Sequence, residues 1–391
     1  MSGPSFAELR ACLDCGKCTG SCPVAQVSGG LSPRRIIRES LAGDPERAVA
    51  AARACLTCRR CDQRCPAGIP YTDLVRRLRG EYGGPQEPEG ESHCGIFSLL
   101  ARIQAAPALE PRRLGWLTED LETDPAGEIL FWVGCTPHFA AYFDRWEEEI
   151  LAGPRAAIKV LNSLGIRPAI SEKERCCGHD ALWNGDRRTF EALGRANLAW
   201  LAESPAKTIV FYCPSCAQAL RREVPELVGP VGKEMTTLSE FLAGRLEELE
   251  LQGEGERTVT WHDPCRLGRY GGVYEEPRRL LEAVPGLELR EMPRNRAGSQ
   301  CCGGGNWAHC DGATRRFQDE RLAEARATGA AELVTSCPRC LIHLRCAMEA
   351  AAAGNGGVKD PFRLVHLARV LAEAAGETSD DKPSPSIEKV Q

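Results

Sequence analysis

ACLDCGKCTGSCP, residues 11–23, spaces four cysteines as C-x2-C-x2-C-x3-C and closes on a proline. These are Cys12, Cys15, Cys18 and Cys22. The same run returns at ACLTCRRCDQRCP, residues 54–66, with Cys55, Cys58, Cys61 and Cys65. Zinc also uses C-x2-C, but an evenly spaced quartet ending in proline, present twice, points to cubane [4Fe-4S] clusters.

In two-cluster ferredoxins the fourth cysteine of each run crosses to the other cluster. That predicts Cys12, Cys15, Cys18 and Cys65 on one cubane, and Cys55, Cys58, Cys61 and Cys22 on the other. Between the runs, Ser32-Pro33 and Asp44-Pro45 each place a capping residue before a proline, the signature of a helix start. Residues 1–80 therefore read as an α-helical, ferredoxin-type module. Pro23 and Pro66 are expected to stop the local helix behind each run.

Residues 81–127 read as a linker with one helical piece near 93–106. Cys94 lies there and is expected to be a buried small hydrophobe. Beyond it the chain repeats itself. Cys135, Cys176, Cys177, Cys213 and Cys216 are answered by Cys265, Cys301, Cys302, Cys337 and Cys340. Each set starts after an apolar strand, EILFWVGC or TVTWHDPC. Each passes through Cys-Cys-Gly and ends in a strand running into a helix through C-P-x-C. Strand–helix alternation, twice, predicts two α/β half-domains with parallel sheets, at 128–250 and 257–375. The polar tail, 376–391, is expected to be disordered. Gly298, Gly303, Gly304 and Gly305 suggest a loop that lets backbone approach a ligand.

Twenty-one cysteines in 391 residues could suggest disulfides. The length of the chain and the absence of a basic, then apolar, leader argue instead for a reduced, cytoplasmic setting. No apolar run is long enough to span a bilayer, so any inner-membrane association is expected to run through a partner. Net charge is −5, yet residues 1–80 carry +6. Those basic residues interleave with cysteines, which suits neutralising anionic clusters or docking an acidic redox partner, and excludes nucleic acid. Gly303-Gly304-Gly305 is not a dinucleotide fingerprint, so flavin chemistry would sit on a partner.

At a helix start after a strand, C-P-x-C thiols ionise readily. Five cysteines per half exceed the four a cubane needs, so spacing alone implies a cluster with unusual ligation. The stretches CCGHDALWNGD, YCPSCAQAL, WHDPCRLGRYGGVYEEPRRLLEAVPGLEL and SCPRCLIHL go further. With the duplicated run before them, they resemble the CCG-domain family of heterodisulfide reductase, in its D-type form, over about residues 5–370. The resemblance implies that each five-cysteine set holds a non-cubane [4Fe-4S] cluster, giving two cubane and two non-cubane clusters. It implies an oxidoreductase subunit passing electrons from the cubanes to the CCG clusters. A disulfide, if one is the substrate, would be cleaved between the two CCG sets. The alternative is a non-catalytic relay within a larger complex, as in glycolate and lactate oxidation or class II benzoyl-CoA reductase. Partners would be a flavoprotein or a haem b or quinone-linked membrane subunit. Relatives often carry Arg-Met-Trp after the second CCG; this chain has GGNWAHC at 304–310.

His262 and His179 flank these motifs and are candidate proton donors to a leaving thiolate. The plainer reading is that each hydrogen-bonds near a cluster and tunes it. Cys310, His309 and Cys346 are expected to be structural, and His138 and His343 have weaker claims.

Overall fold

The computed structural model describes residues 4–83, 91–253, 255–354 and 362–376. The first module is helical. Ser32 and Asp44 accept the backbone N–H groups of Arg35 (3.3 Å) and Arg47 (3.0 Å). Their caps start helices Pro33–Leu41 and Pro45–Ala52, which separate the cysteine runs. Short helices Lys17–Ser21 and Arg60–Arg64 carry Cys18 and Cys61 and pack together. Pro23 does end the first of these, but it also opens helix Pro23–Ser28, because a missing N–H costs nothing at a first helical position. Helix Tyr71–Tyr82 closes the module with Leu74, Val75 and Leu78 buried.

The segment read as a linker is partly ordered. Helix Ile96–Gln104 buries Phe97 and Ala101, while residues 84–90 lie outside the described residues. Cys94 is exposed, not buried as expected. It and His93 both adopt positive φ (52° and 54°) in the tight turn before that helix, which leaves the thiol in solvent.

Two parallel sheets follow. β1 (Ile129–Trp132), β2 (Thr208–Phe211) and β3 (Glu234–Thr237) lie in that order. β4 (Arg257–Trp261), β5 (Leu287–Leu289), β6 (Glu332–Thr335) and β7 (Arg363–His366) lie in the order β5-β4-β6-β7. β1, β2 and β3 thus match β4, β6 and β7. The partner of β5 in the first half has shrunk to one bridge, Leu130 with Ala169. The central strands β2 and β6 are buried along nearly their whole length because helices cover both faces. Phe131, Val210 and Tyr212 share one core with Trp261, Val334 and Val365, so the two halves are fused through a common interior. The tail read as disordered, apart from Gly376, lies outside the described residues.

Candidate metal centres

The parallel topology brings the strand-end cysteines to the carboxyl edges of the sheets, where open α/β folds bind ligands. In the helical module the cysteines divide into two groups. Cys12, Cys15, Cys18 and Cys65 line one cavity, with Cys61 in its wall. Cys22 lies beside Cys55, Cys58 and Cys61, and all four are buried. The fourth cysteine of each run therefore faces the other run. Burial pushes the Cys22 thiol up to about 12 and Cys55 to about 11, although the Arg79 guanidinium works against the latter. Arg79, itself buried, donates to the carbonyls of Ala52 (3.0 Å), Arg53 (2.7 Å) and Cys55 (2.6 Å).

In the first CCG half, Cys135 follows β1 and Cys213 and Cys216 follow β2. Neighbouring thiols interact in an unbroken run: Cys135, Cys176, Cys177, Cys216, Cys213. Gly134 (φ 71°) permits this crowding, since a Cβ there would stand 3.0 Å from Cys216 Sγ. Hydrogen bonds from Cys135 and Cys177 hold the Cys176 thiol well below its usual range. Beneath the loop, buried Glu174 accepts from Gly134 N at 2.8 Å and pairs with Arg113 at 3.1 Å. Burial still lifts Glu174 to about 7.

The second half repeats this geometry. Gly303 N donates to Cys301 Sγ at 3.4 Å, as Gly178 N does to Cys176 Sγ at 3.4 Å. All five cysteines, 265, 301, 302, 337 and 340, line one cavity with Arg266, Arg339, Asn306 and Leu56. Cys302 and Cys340 Sγ are 3.3 Å apart. Cys213 and Cys337 interact across the two halves, so the two sets meet. Arg339 and Ser215, equivalent third positions of the two C-P-x-C motifs, hydrogen-bond there, and Arg339 also pairs with Asp180.

The candidate histidines occupy different settings. The His179 backbone N–H faces Cys177, but its ring turns to Glu223, 3.2 Å away. Glu223 also accepts from Trp183 Nε1 at 2.7 Å. Burial lowers the His179 pKa. His262 lies with Cys302 and Cys340, ligand atoms within 4.8 Å of one another. Its Nδ1 accepts from Arg321 Nε at 3.0 Å, which leaves Nε2 to carry the hydrogen toward Cys302. Cys310 is exposed and Cys346 half-buried, and neither lines the second cavity. His309 contacts the Arg53 carbonyl at 2.6 Å. His343 packs on Trp307, centroids 4.6 Å apart, and His138 is a half-buried ring beside Cys176.

Sequence reasoning missed the residues that couple the helical module to the second half. Thr57 Oγ1 accepts from Arg266 at 2.8 Å and from Asn306 at 2.9 Å. Tyr270 donates to the Thr57 carbonyl at 2.8 Å, and Arg269 to that of Cys58 at 2.6 Å. Cys265 and Cys301 pack into the same core as Cys22, Cys55, Cys58 and Cys61. The glycine-rich loop does serve close approach, but Gly305 meets module backbone: a Cβ there would lie 2.7 Å from Leu56 Cα. The only signal for this docking was arginine and tyrosine directly behind Cys265, in CRLGRY.

These sites define an iron–sulfur protein in which a dicluster module is joined to two cysteine-rich domains. A 4Fe-4S dicluster domain model matches residues 8–69, and a cysteine-rich domain (CCG) model matches 129–221 and 259–345. The D-type polypeptide of dihydromethanophenazine:CoB–CoM heterodisulfide reductase from Methanosarcina barkeri is 29% identical over 96% of both chains. EtfAB:quinone oxidoreductase of Syntrophomonas wolfei is 28% identical over 67% of this chain, which spans 38% of that protein. A crystal structure of a hypothetical protein from Helicobacter pylori shares the fold at TM-score 0.53 and 10% identity, over 82% of this chain and 61% of that one. The chain belongs to the D-type heterodisulfide reductase-like family of iron–sulfur oxidoreductase subunits. Among the described residues, no helix is long and apolar enough to cross a membrane.

Proposed function

We propose that this chain is the electron-carrying subunit of a larger redox complex, with four [4Fe-4S] clusters held by eighteen cysteines. Two are cubanes, on Cys12/15/18/65 and on Cys22/55/58/61. Two are non-cubane, on Cys135/176/177/213/216 and on Cys265/301/302/337/340. Such clusters supply one-electron transfer. Electrons enter at the half-exposed Cys12 group and pass to the buried Cys22 group. They then reach the second CCG set and, through the Cys213–Cys337 junction, the first. The observation that carries this order is the packing of Cys265 and Cys301 into the core of the dicluster module. Partner redox subunits, a flavoprotein or a quinone- or haem-linked membrane subunit, supply and take these electrons in the cytoplasm or at the inner membrane.

The match with a heterodisulfide reductase supports a disulfide as the terminal acceptor, cleaved between the CCG sets. Relay to another carrier is favoured by His179, whose Nδ1 is held by Glu223. His262 favours the disulfide reading instead, because its Nε2 hydrogen faces Cys302. Iron and sulfide analysis tests the cluster count: about sixteen irons per chain are expected, and about eight or fewer overturns it. Single-turnover disulfide reduction by the isolated, reduced chain would decide for catalysis over relay.

A further inference from the structure

His343 sits on helix Pro338–Gly354, one turn beyond Cys340. It is 3% exposed, and burial lowers its pKa to about 4, so the ring is neutral. Gln318 Nε2 donates to the His343 carbonyl at 2.8 Å, which fixes the orientation of the amide, and stands 3.4 Å from His343 Nδ1. An amide nitrogen can only donate, so Nδ1 accepts and Nε2 carries the ring hydrogen. Nε2 is buried and has no hydrogen-bond partner among the described residues. Trp307, packed on the ring, offers no acceptor, its own Nε1 being an unmet donor too. Buried donors left unmet are rare in folded proteins and call for an acceptor.

Gly304 shows where that donor points. A Cβ there would stand 2.7 Å from His343 Cδ2, 3.2 Å from Nε2 and 3.3 Å from Cys302 Sγ. Nε2 and the Cys302 sulfur thus flank one point, which glycine keeps clear of any side chain. Gly304 and Cys302 both line the cavity of the second cysteine set. The first half is built the other way round. His179 follows its Cys-Cys-Gly where the second half has Gly304, and Ala219 lies three residues past its last cysteine where the second half has His343. The His179 ring is held by Glu223, 3.2 Å away, whereas His343 keeps its Nε2 hydrogen free beside Cys302. Sulfur bound to iron carries negative charge and accepts hydrogen bonds, and these bonds tune a cluster's potential by favouring its more negative, reduced form.

We propose that His343 Nε2–H donates a hydrogen bond to a sulfur of the cluster held by Cys265, Cys301, Cys302, Cys337 and Cys340, and so holds that cluster's midpoint potential up. This rests on the cluster reading above. The test is a redox titration of the cluster-loaded full chain followed by electron paramagnetic resonance, in which the signal altered by Cys302→Ser identifies the second set. His343→Phe keeps a ring against Trp307 but removes the N–H. It should disfavour reduction of the second set by about threefold to tenfold, a midpoint about 30–60 mV lower for one electron. It should also remove a deuterium-exchangeable proton coupling from that signal. His343→Gln, which retains a donor, should recover part of the shift. Gly304→Ala, whose new methyl displaces the ring, should move the midpoint in the same direction and keeps the test decisive where His343→Phe loses iron. The first set's midpoint should stay put in all three. An unmoved second-set midpoint with wild-type iron content, in His343→Phe or in Gly304→Ala, overturns the hydrogen bond. A wild-type chain with about eight irons or fewer, and no signal altered by Cys302→Ser, overturns the cluster reading and this bond with it.

Discussion

The two CCG halves carry the same five cysteines and the same Gly-N–H to thiol hydrogen bond, yet their surroundings differ. Behind Cys135 the first half has Thr136, whose hydroxyl turns back to the Val133 carbonyl at 3.1 Å. Behind Cys265 the second half has Arg266, sandwiched 4.4 Å from the Trp183 ring and 4.0 Å from Tyr270 while bonding Thr57 of the dicluster module. The first half meets that module through helix Tyr71–Tyr82, where Arg79 reaches the Trp183 carbonyl at 2.8 Å; its cysteines pack elsewhere. Of the two duplicated cysteine sets, only the second packs against the dicluster module, which under the proposed electron order makes it the port and the first set the terminus. The surroundings made the difference, not the ligands.

The most severe way to break this comparison is to remove one ligand from each half. If the second set is the port, Cys302→Ser should cut reduction of the first set through the dicluster module by about a hundredfold or more. Cys177→Ser should leave the second set reducible at the wild-type rate. Rapid-freeze electron paramagnetic resonance after mixing with a low-potential donor reads both. Equal losses in the two variants would mean that the halves are fed in parallel.

Next in size is Arg266→Leu. It strips a buried guanidinium from Thr57 and Asn306, leaves the Asn306 side-chain oxygen without that donor and empties the space between the Trp183 and Tyr270 rings, so stability should fall by about 3 kcal/mol. Grafting the other half's residue, Arg266→Thr, should do the same. Denaturant unfolding, with hydrogen exchange at residues 55–58, checks whether the loss falls at the docking surface.

Much of this was legible in the chain, and the reason is local. Cluster ligands must sit at fixed spacings, so Cys12 to Cys22 and Cys55 to Cys65 stand out in the chain, and the structure groups each run's fourth cysteine with the other run. The caps at Ser32 and Asp44 are equally local, each bonding a backbone group three residues on. The parallel strands of the first half were visible because β1 and β2, ILFW and TIVF, are covered and almost wholly apolar. What stayed hidden depends on long-range partners. Nothing near Thr57 shows that Arg266 and Asn306, more than two hundred residues away, converge on its hydroxyl. The departure from Arg-Met-Trp at 304–310 proves to be a contact surface: Asn306 bonds Thr57, and Trp307 stacks on Phe97 at 4.2 Å. Cys94 failed the hydrophobe expectation because a turn geometry, not its chemistry, decides its exposure.

A smaller effect belongs to the first half's own interior. Glu223 is fully buried; burial alone would raise its pKa, but the charge and hydrogen bond of His179, with Arg266 nearby, hold it below the usual value. Glu223→Gln weakens the contacts to His179 and Trp183 and should cost about 2–3 kcal/mol. It should leave the second set's redox midpoint unmoved, which a spectroelectrochemical titration resolves. A shift there would show that the two halves share more electrostatics than the comparison allows.

The finest contrast lies at the ends of β3 and β7. Each strand ends in the residue that caps the next helix: Thr237, bonding Glu240 N at 3.3 Å, and His366, bonding Ala368 N at 3.1 Å. Only the second half therefore places a titratable ring at this point. Burial lowers His366 from 6.5 to about 3. Below about 6.5 the unfolded chain takes up a proton that the folded chain refuses. The stability this residue contributes is therefore complete above that pH and drains away as pH falls toward 3. Between pH 7.5 and pH 5 the loss from this one ring should be about 2 kcal/mol. His366→Thr, which installs the first half's cap, will lower stability at every pH by removing the stack on Tyr212. It should nevertheless flatten the pH dependence by that amount. Denaturant midpoints measured for both proteins at the two pH values isolate the slope from the offset, and parallel slopes would place the acid sensitivity elsewhere.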